Sequence, residues 1–301
     1  MSEPKSHHYV PRFYLERFVD AQGALWVYDK SQDRIFSTGP AGVAAENRFY
    51  EVPELAEIGK SPMLLEHQFA DLESEVCNIT NCWFRQLELG DKVEIPNINR
   101  EFVSLYLSLQ LLRTAEARAQ IVQFNEAFHV LKGQTSAVPP SDPRDLHTQL
   151  IWYDELVFEI RDRIKECSWL FAKNESSQPF YTSDHPVLIK ASDSKHWIQG
   201  PKVFERGMYL VFPLSPIWML YCHATEDKYE PLKKFDGRIS PVKFDEDMVN
   251  HENSGQVGMS NRFVFSVSSD FTFAKEFCEL EKGIKDPNRP RYEIDPQKLT
   301  H

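Results

Sequence analysis

The stretch that most constrains this chain runs from Asn99 to Leu112. At helical spacing, Phe102, Val103, Leu105, Tyr106, Leu107, Leu109, Leu111 and Leu112 leave almost no polar face. A helix apolar all round lies in the protein interior, so other elements must cover it on several sides. Arg113, at its end, shares a face with Phe102, Tyr106 and Leu109. A guanidinium cannot give up its charge, so on that face it needs a carboxylate or an anionic ligand.

The carboxylates come from the preceding segment. Pro62, Leu65, Phe69, Leu72 and Val76 recur at intervals of four and three, which predicts an amphipathic helix with Ser61 as N-cap. Glu66 and Glu73 each stand one step beyond an apolar position, so they share one border of the buried face. They are the natural partners of Arg113. Without it they are ordinary solvated charges. The second helix is expected to run past Arg113 to about Lys132, where a loop containing Pro139, Pro140 and Pro143 breaks it. A third helix is predicted near Asp145 to Phe171.

The amino-terminal string "HHYVPRFYLERF" (residues His7 to Phe18) combines an extended piece with a short helix. Pro11 holds Val10 extended and is itself a good first helical residue. So short a helix is stable only when docked, which ties the arm to the core through Phe13, Leu15 and Phe18. Alternation along the extended piece puts His8 on the side of Val10 and His7 on the other, so His8 is expected to point inward. The segment "ALWVYDKSQDRIFST" reads as a hairpin of Ala24 to Tyr28 and Arg34 to Thr38. Glu46 and Asn47 precede the aromatic pair Phe49 and Tyr50 at another strand start.

From Pro179 the pattern returns to strands, and a short helix closes the chain before a tail from residue 286 to 301. The order β, α, β predicts an α+β fold: one antiparallel sheet of N- and C-terminal strands packed on a central bundle of long helices. A single domain over residues 1–285 is expected, with the helical middle at about 61–172. The net charge of −11 argues against binding extended nucleic acid, since Lys233-Lys234 and Arg289 to Arg291 are short runs expected on solvated surface. No run is long enough to span a membrane. Five scattered cysteines without a C-x-x-C pair, and no charged-then-apolar leader before the histidines, point to a reduced, cytoplasmic setting.

"TSDHP" (Thr182 to Pro186) invites a Ser183–Asp184–His185 triad, but neighbours in an extended chain alternate sides and do not converge. Asp184 capping backbone N–H groups is the simpler reading. In order, "HHYVPRFYLERF", "LWVYDK", "VAAENRFYE", "LEHQFADLE", "LQLLRT" and "YTSDHPV" resemble the uncharacterised bacterial family catalogued as domain of unknown function 4238. The resemblance covers most of residues 5 to 270. It implies polar motif positions at His8, Tyr28, Glu46, Tyr50, Glu66, Glu73, Arg113, Ser183 and Asp184. His185 stands where that family more often carries Asn. The "HHxxP" string also fits the first strand of His-metal finger nucleases, yet no Asn and His follow at the finger spacing.

Two functional readings follow. In the first the protein is a divalent-metal-assisted hydrolase of phosphate esters, acting on a nucleotide or nucleic acid. His8, Arg113 and Glu73 are then catalytic, and Glu46, Glu66 and Asp184 hold Mg²⁺ or Mn²⁺. Tyr28, Tyr50, Ser183 and His185 contact the ligand. In the second it is a non-enzymatic binding or sensor module for a small anionic ligand or nucleotide, and the same residues form a structural ion-pair network. Two carboxylates and an imidazole around an open space favour the first. An Arg113 that fills the space with direct salt bridges favours the second.

Overall fold

A computed structural model describes residues 6–47, 49–51, 59–131, 143–152, 154–199, 207–224 and 230–291. The expected loop from Gly133 to Pro143 lies almost wholly outside these residues.

The arm is docked. Strand β1 (Ser6–His8) leads through a bend into helix α1 (Arg12–Leu15), and Tyr14, Leu15 and Phe18 have no exposed surface. The Tyr14 hydroxyl bonds Thr182 Oγ1 at 2.6 Å and the Pro213 carbonyl at 2.7 Å, which satisfies a buried phenol from two distant segments. The hairpin forms as β2 (Leu25–Asp29) and β3 (Arg34–Thr38), with Asp29 opposite Arg34. Asp29 Oδ1 accepts from the N–H groups of Ser31 and Gln32 and so closes the turn. Strand β4 (Ala45–Asn47) pairs with β1, setting His7 opposite Glu46.

The helical middle follows as α2 (Leu64–Leu89), α3 (Asn97–Leu112), α4 (Ala115–Leu131), α5 (Pro143–Trp152) and α6 (Asp154–Glu166). Helix α3 packs against α2 and α6, as its nearly all-apolar surface requires. The helix expected to continue to Lys132 breaks at Arg113. There Tyr50 donates to the Arg113 carbonyl, His147 Nε2 bonds the Leu112 carbonyl, and Thr114 Oγ1 accepts from the Ala117 N–H as a cap for α4. The third predicted helix is covered by α5 and α6. It also stops short of Phe171, because residues 168–173 pair as a strand.

That strand, β5 (Ser168–Lys173), opens the carboxyl-terminal half. It is followed by β6 (Thr182–Ser183), β7 (Leu188–Lys190), β8 (Trp197–Ile198), β9 (Tyr209–Pro213), β10 (Trp218–His223) and β11 (Arg238–Ile239). Helix α7 (Glu246–Met259), strand β12 (Phe263–Ser266) and helix α8 (Thr272–Leu280) complete it. The fold is α+β, but the single expected sheet is three among the described residues. A four-stranded sheet in the order β3-β2-β12-β6 joins the ends of the chain, as expected. A six-stranded sheet in the order β11-β5-β10-β9-β7-β8 is built from the later strands alone, and β11 runs parallel to β5. The third is the β1-β4 pair.

The segment expected as a tail begins docked. Arg289 and Arg291 are buried against Glu116 rather than solvated: Arg291 grips the carboxylate from Nε and Nη2, both at 2.7 Å. A fully buried Glu116 on α4 requires such a partner.

Candidate functional site

The polar site forms around Arg113, where α3 ends beside the middle of α2. Arg113 is 2% exposed. Its Nη1 pairs with Glu73 Oε1 at 2.8 Å and its Nε donates to Gln110 Oε1 at 2.9 Å. The guanidinium lies 4.9 Å from the Phe69 ring centroid and 5.8 Å from that of Tyr106. Helical spacing thus delivers what the sequence implied: Glu73 is the counter-charge, and Tyr106 and Phe69 wall the pair.

Glu66 joins the cluster electrostatically. Burial pushes its carboxyl up to about 7 and the Glu73 charge adds to the shift, while Arg113 opposes it. A carboxyl that titrates near neutrality beside a fixed cation is a functional-site signal, although ion-pair networks also produce it. His8 is half-buried and within reach of the Glu73 charge. Burial lowers its basicity, against smaller raising effects of a hydrogen bond to the Ala41 backbone and of Glu73. Four side-chain atoms here make no hydrogen bond: His8 Nε2, Glu66 Oε2, Tyr106 Oη and Arg113 Nη2. Buried polar atoms of native proteins are seldom left so, which makes the cluster a site in need of a partner.

The arm differs from expectation in one respect. His7, not His8, is the fully buried histidine. The N–H groups of both Tyr9 and Val10 point at the Ala44 carbonyl, at 2.9 and 3.4 Å, as in a bulge. That extra residue resets the alternation, so counting back from Val10 selects the wrong ring. His7 Nδ1 accepts from the Tyr50 N–H at 3.0 Å, and its ring stacks on Tyr50 at 6.1 Å. Tyr50 also donates its hydroxyl to the Arg113 carbonyl, which sets it at the cluster's edge.

The other expected residues are elsewhere. Glu46 is exposed on β4 and pairs with Arg118 at 3.1 Å. Asp184 is buried and accepts from the N–H groups of Asn261, Arg262 and Phe263, each at 2.8 Å, so it caps the entry to β12 rather than facing a metal. Ser183 Oγ donates to Gln256 Oε1 at 2.8 Å, and His185 Nδ1 shares a 2.6 Å hydrogen bond with Thr114 Oγ1. They form no triad, as alternation dictates. Tyr28 donates to Asp33 Oδ1 at 2.9 Å and packs on Phe271. Among the described residues no group of three or more His, Cys, Asp or Glu is arranged to hold a metal ion.

Sequence reasoning missed several buried polar groups. Lys30 has no exposed surface and donates to the carbonyls of Val257 and Ser260, at 2.6 and 2.9 Å, where α7 ends. His147 sits under the α3–α4 break, and burial drops it to about 3. Lys190 and Glu252 form a buried ion pair between β7 and α7. The Lys190 position was legible as a charge closing an apolar strand, "PVLIK". Helix α7 was not: Asn, Ser and Gly dilute its apolar period.

No curated protein and no solved structure matches the chain. Residues 6–270 match the model of a family described as a protein of unknown function (DUF4238). The arm, the Arg113 helix and the "TSDHP" kink all lie within that span, and the chain belongs to this family.

Proposed function

We propose that the protein is a binding module for a small anionic ligand, such as a phosphate-bearing nucleotide, seated at the Arg113 cluster. The observation that carries this reading is the set of four unpartnered atoms around the Arg113–Glu73 pair. Arg113 Nη2 is a permanent donor, Tyr106 Oη and protonated Glu66 can each donate, and His8 Nε2 donates when the ring is protonated. One anionic group presented to them would take up the free guanidinium edge and draw a proton onto Glu66. Arg113 meets Glu73 directly, while Glu46 and Asp184 are engaged elsewhere, so the carboxylates assigned to a metal do not gather.

One observation favours a second reading, phosphate-ester hydrolysis. Glu66, at about 7 and near the Glu73 charge that His8 also feels, could act as a general acid without Glu46 or Asp184. A single experiment separates them. Thermal unfolding of the full chain at pH 6 is followed with inorganic phosphate and with nucleoside monophosphates. Each ligand is run with EDTA, Mg²⁺ or Mn²⁺, and product release is assayed in parallel. The binding reading predicts a rise in melting temperature with a phosphate-bearing compound, indifferent to EDTA and reduced in Tyr106→Phe. A rise confined to Mg²⁺ or Mn²⁺, or turnover lost in Glu66→Gln, favours the hydrolase. No shift with any anion rejects the binding site.

A further inference from the structure

An open pocket of about 480 Å³ lies between one face of the six-stranded sheet and α7, within the size range of small-molecule sites. Strand register builds its floor. Lys190 on β7 is opposite Tyr209 on β9, which is opposite His223 on β10, so the three form one row across the sheet. Two residues along β10, Tyr221 faces the same way, opposite Leu170 of β5. Helix α7 closes the other side with Asp247, Met248 and Glu252, and Phe244 packs against Tyr221.

The polar groups here are incompletely paired. Lys190 Nζ is engaged by Glu252 Oε1 and lies 4.6 Å from the Trp197 ring centroid. Glu252 is 5% exposed and its Oε2 makes no close hydrogen bond; the Tyr221 hydroxyl, 7% exposed, makes none either but faces that carboxylate, and burial and then the Glu252 charge push the phenol's pKa up. The lysine is thus occupied, and the acceptor capacity left open is that of a carboxylate oxygen and the phenol oxygen beside it. Asp247 adds a second negative charge to the lining, and the rings of Tyr209, Tyr221 and Phe244 stand among its walls, surfaces of the kind that attract cations.

We propose that this pocket binds a small organic ammonium. Its N–H groups donate to Glu252 Oε2 and the Tyr221 hydroxyl, and its apolar body lies among the rings of Tyr209, Tyr221 and Phe244. The site shares no residue with the Arg113 cluster, and its occupancy does not depend on the anion site.

Calorimetric titration of the full chain with methylammonium, phenethylammonium and tryptammonium tests it, with phenylacetate and 2-phenylethanol as anionic and neutral counterparts of the same body. Phenethylammonium or tryptammonium is expected to bind saturably, at least about tenfold tighter than either counterpart, because only the ammonium satisfies a buried carboxylate. Glu252→Gln is expected to weaken it at least about tenfold. Since that variant strips Lys190 of its counter-charge, Tyr221→Phe, which changes no charge, is measured beside it and is expected to weaken binding severalfold at unchanged melting temperature. Tyr106→Phe, in the other cluster, should leave ammonium binding unaltered. Absence of saturable binding by every ammonium, tighter binding of phenylacetate, or binding indifferent to Tyr221→Phe overturns the proposal.

Discussion

Arg113 and Glu73 meet at 2.8 Å across the α2–α3 contact, with the guanidinium side chain 2% exposed and the carboxylate 22%. The asymmetry decides what each contributes. Glu73 can recover hydration when its partner is lost, whereas Arg113 cannot. Glu73→Gln is therefore expected to cost about 3–5 kcal/mol, the range for a buried charge left uncompensated, unless Glu66 ionises in its place. Arg113→Ala also empties the space against Phe69 and Tyr106 and is expected to cost at least as much. Urea denaturation at pH 7 checks both, and midpoints unchanged from wild type would show that the pair is not buried.

The Glu66 carboxyl stands at about 7 in the fold against an ordinary 4.5. The folded state therefore holds the extra proton between those values, and stability falls as pH rises through that window. Because Glu66 is only partly buried, solvent screening reduces the effect to about 1–2 kcal/mol. Glu66→Gln is expected to remove this slope and to be the more stable form at pH 8. Denaturation midpoints at pH 5, 6, 7 and 8 read it directly.

Two buried imidazoles act in the opposite sense. Burial drops His147 to about 3 and His185 to about 4, and the nearby Arg118 adds to the depression of His147. Unfolding exposes both rings, which then take up protons below their ordinary value of 6.5. Stability should thus fall as pH drops below 6.5, with an uptake approaching two protons on acid unfolding. Replacing His185 by Asn, which keeps a partner for Thr114 Oγ1, is expected to reduce that uptake by about one proton. The slope of stability against pH measures the count.

Removing residues 286–301 should destabilise the protein strongly. Arg289 and Arg291 neutralise Glu116, which has no exposed surface, so truncation leaves that carboxylate buried alone at a cost of about 3–5 kcal/mol. Glu116→Gln in the truncated chain is expected to restore part of the loss. A truncated protein as stable as the full one would contradict the docking.

Much of the Arg113 site was legible because it is written in helical periodicity. The spacing of Leu65, Phe69, Leu72 and Val76 placed Glu66 and Glu73 on one border, and the apolar crowd before Arg113 demanded a counter-ion. What lay beyond reach depends on pairing over long distances. The bulge at Tyr9 and Val10 exchanges His7 for His8 through one carbonyl of Ala44. Asp184 binds backbone of residues 261–263, which no local pattern discloses. Helix α7 was hidden by its own function in packing: at Gly255 a Cβ would overlap the Trp197 ring, so the helix carries glycine where a helix signal would carry an apolar residue.

The most direct measurement is a calorimetric titration of the full chain with a nucleoside monophosphate at pH 7.5, in two buffers of different ionisation enthalpy and without divalent metal. An anion that enters beside Arg113 forces Glu66 to keep its proton, so binding is expected to take up a fraction of a proton, and Glu66→Gln should bind without that uptake. No binding, or binding by the wild type that exchanges no proton, would contradict the account.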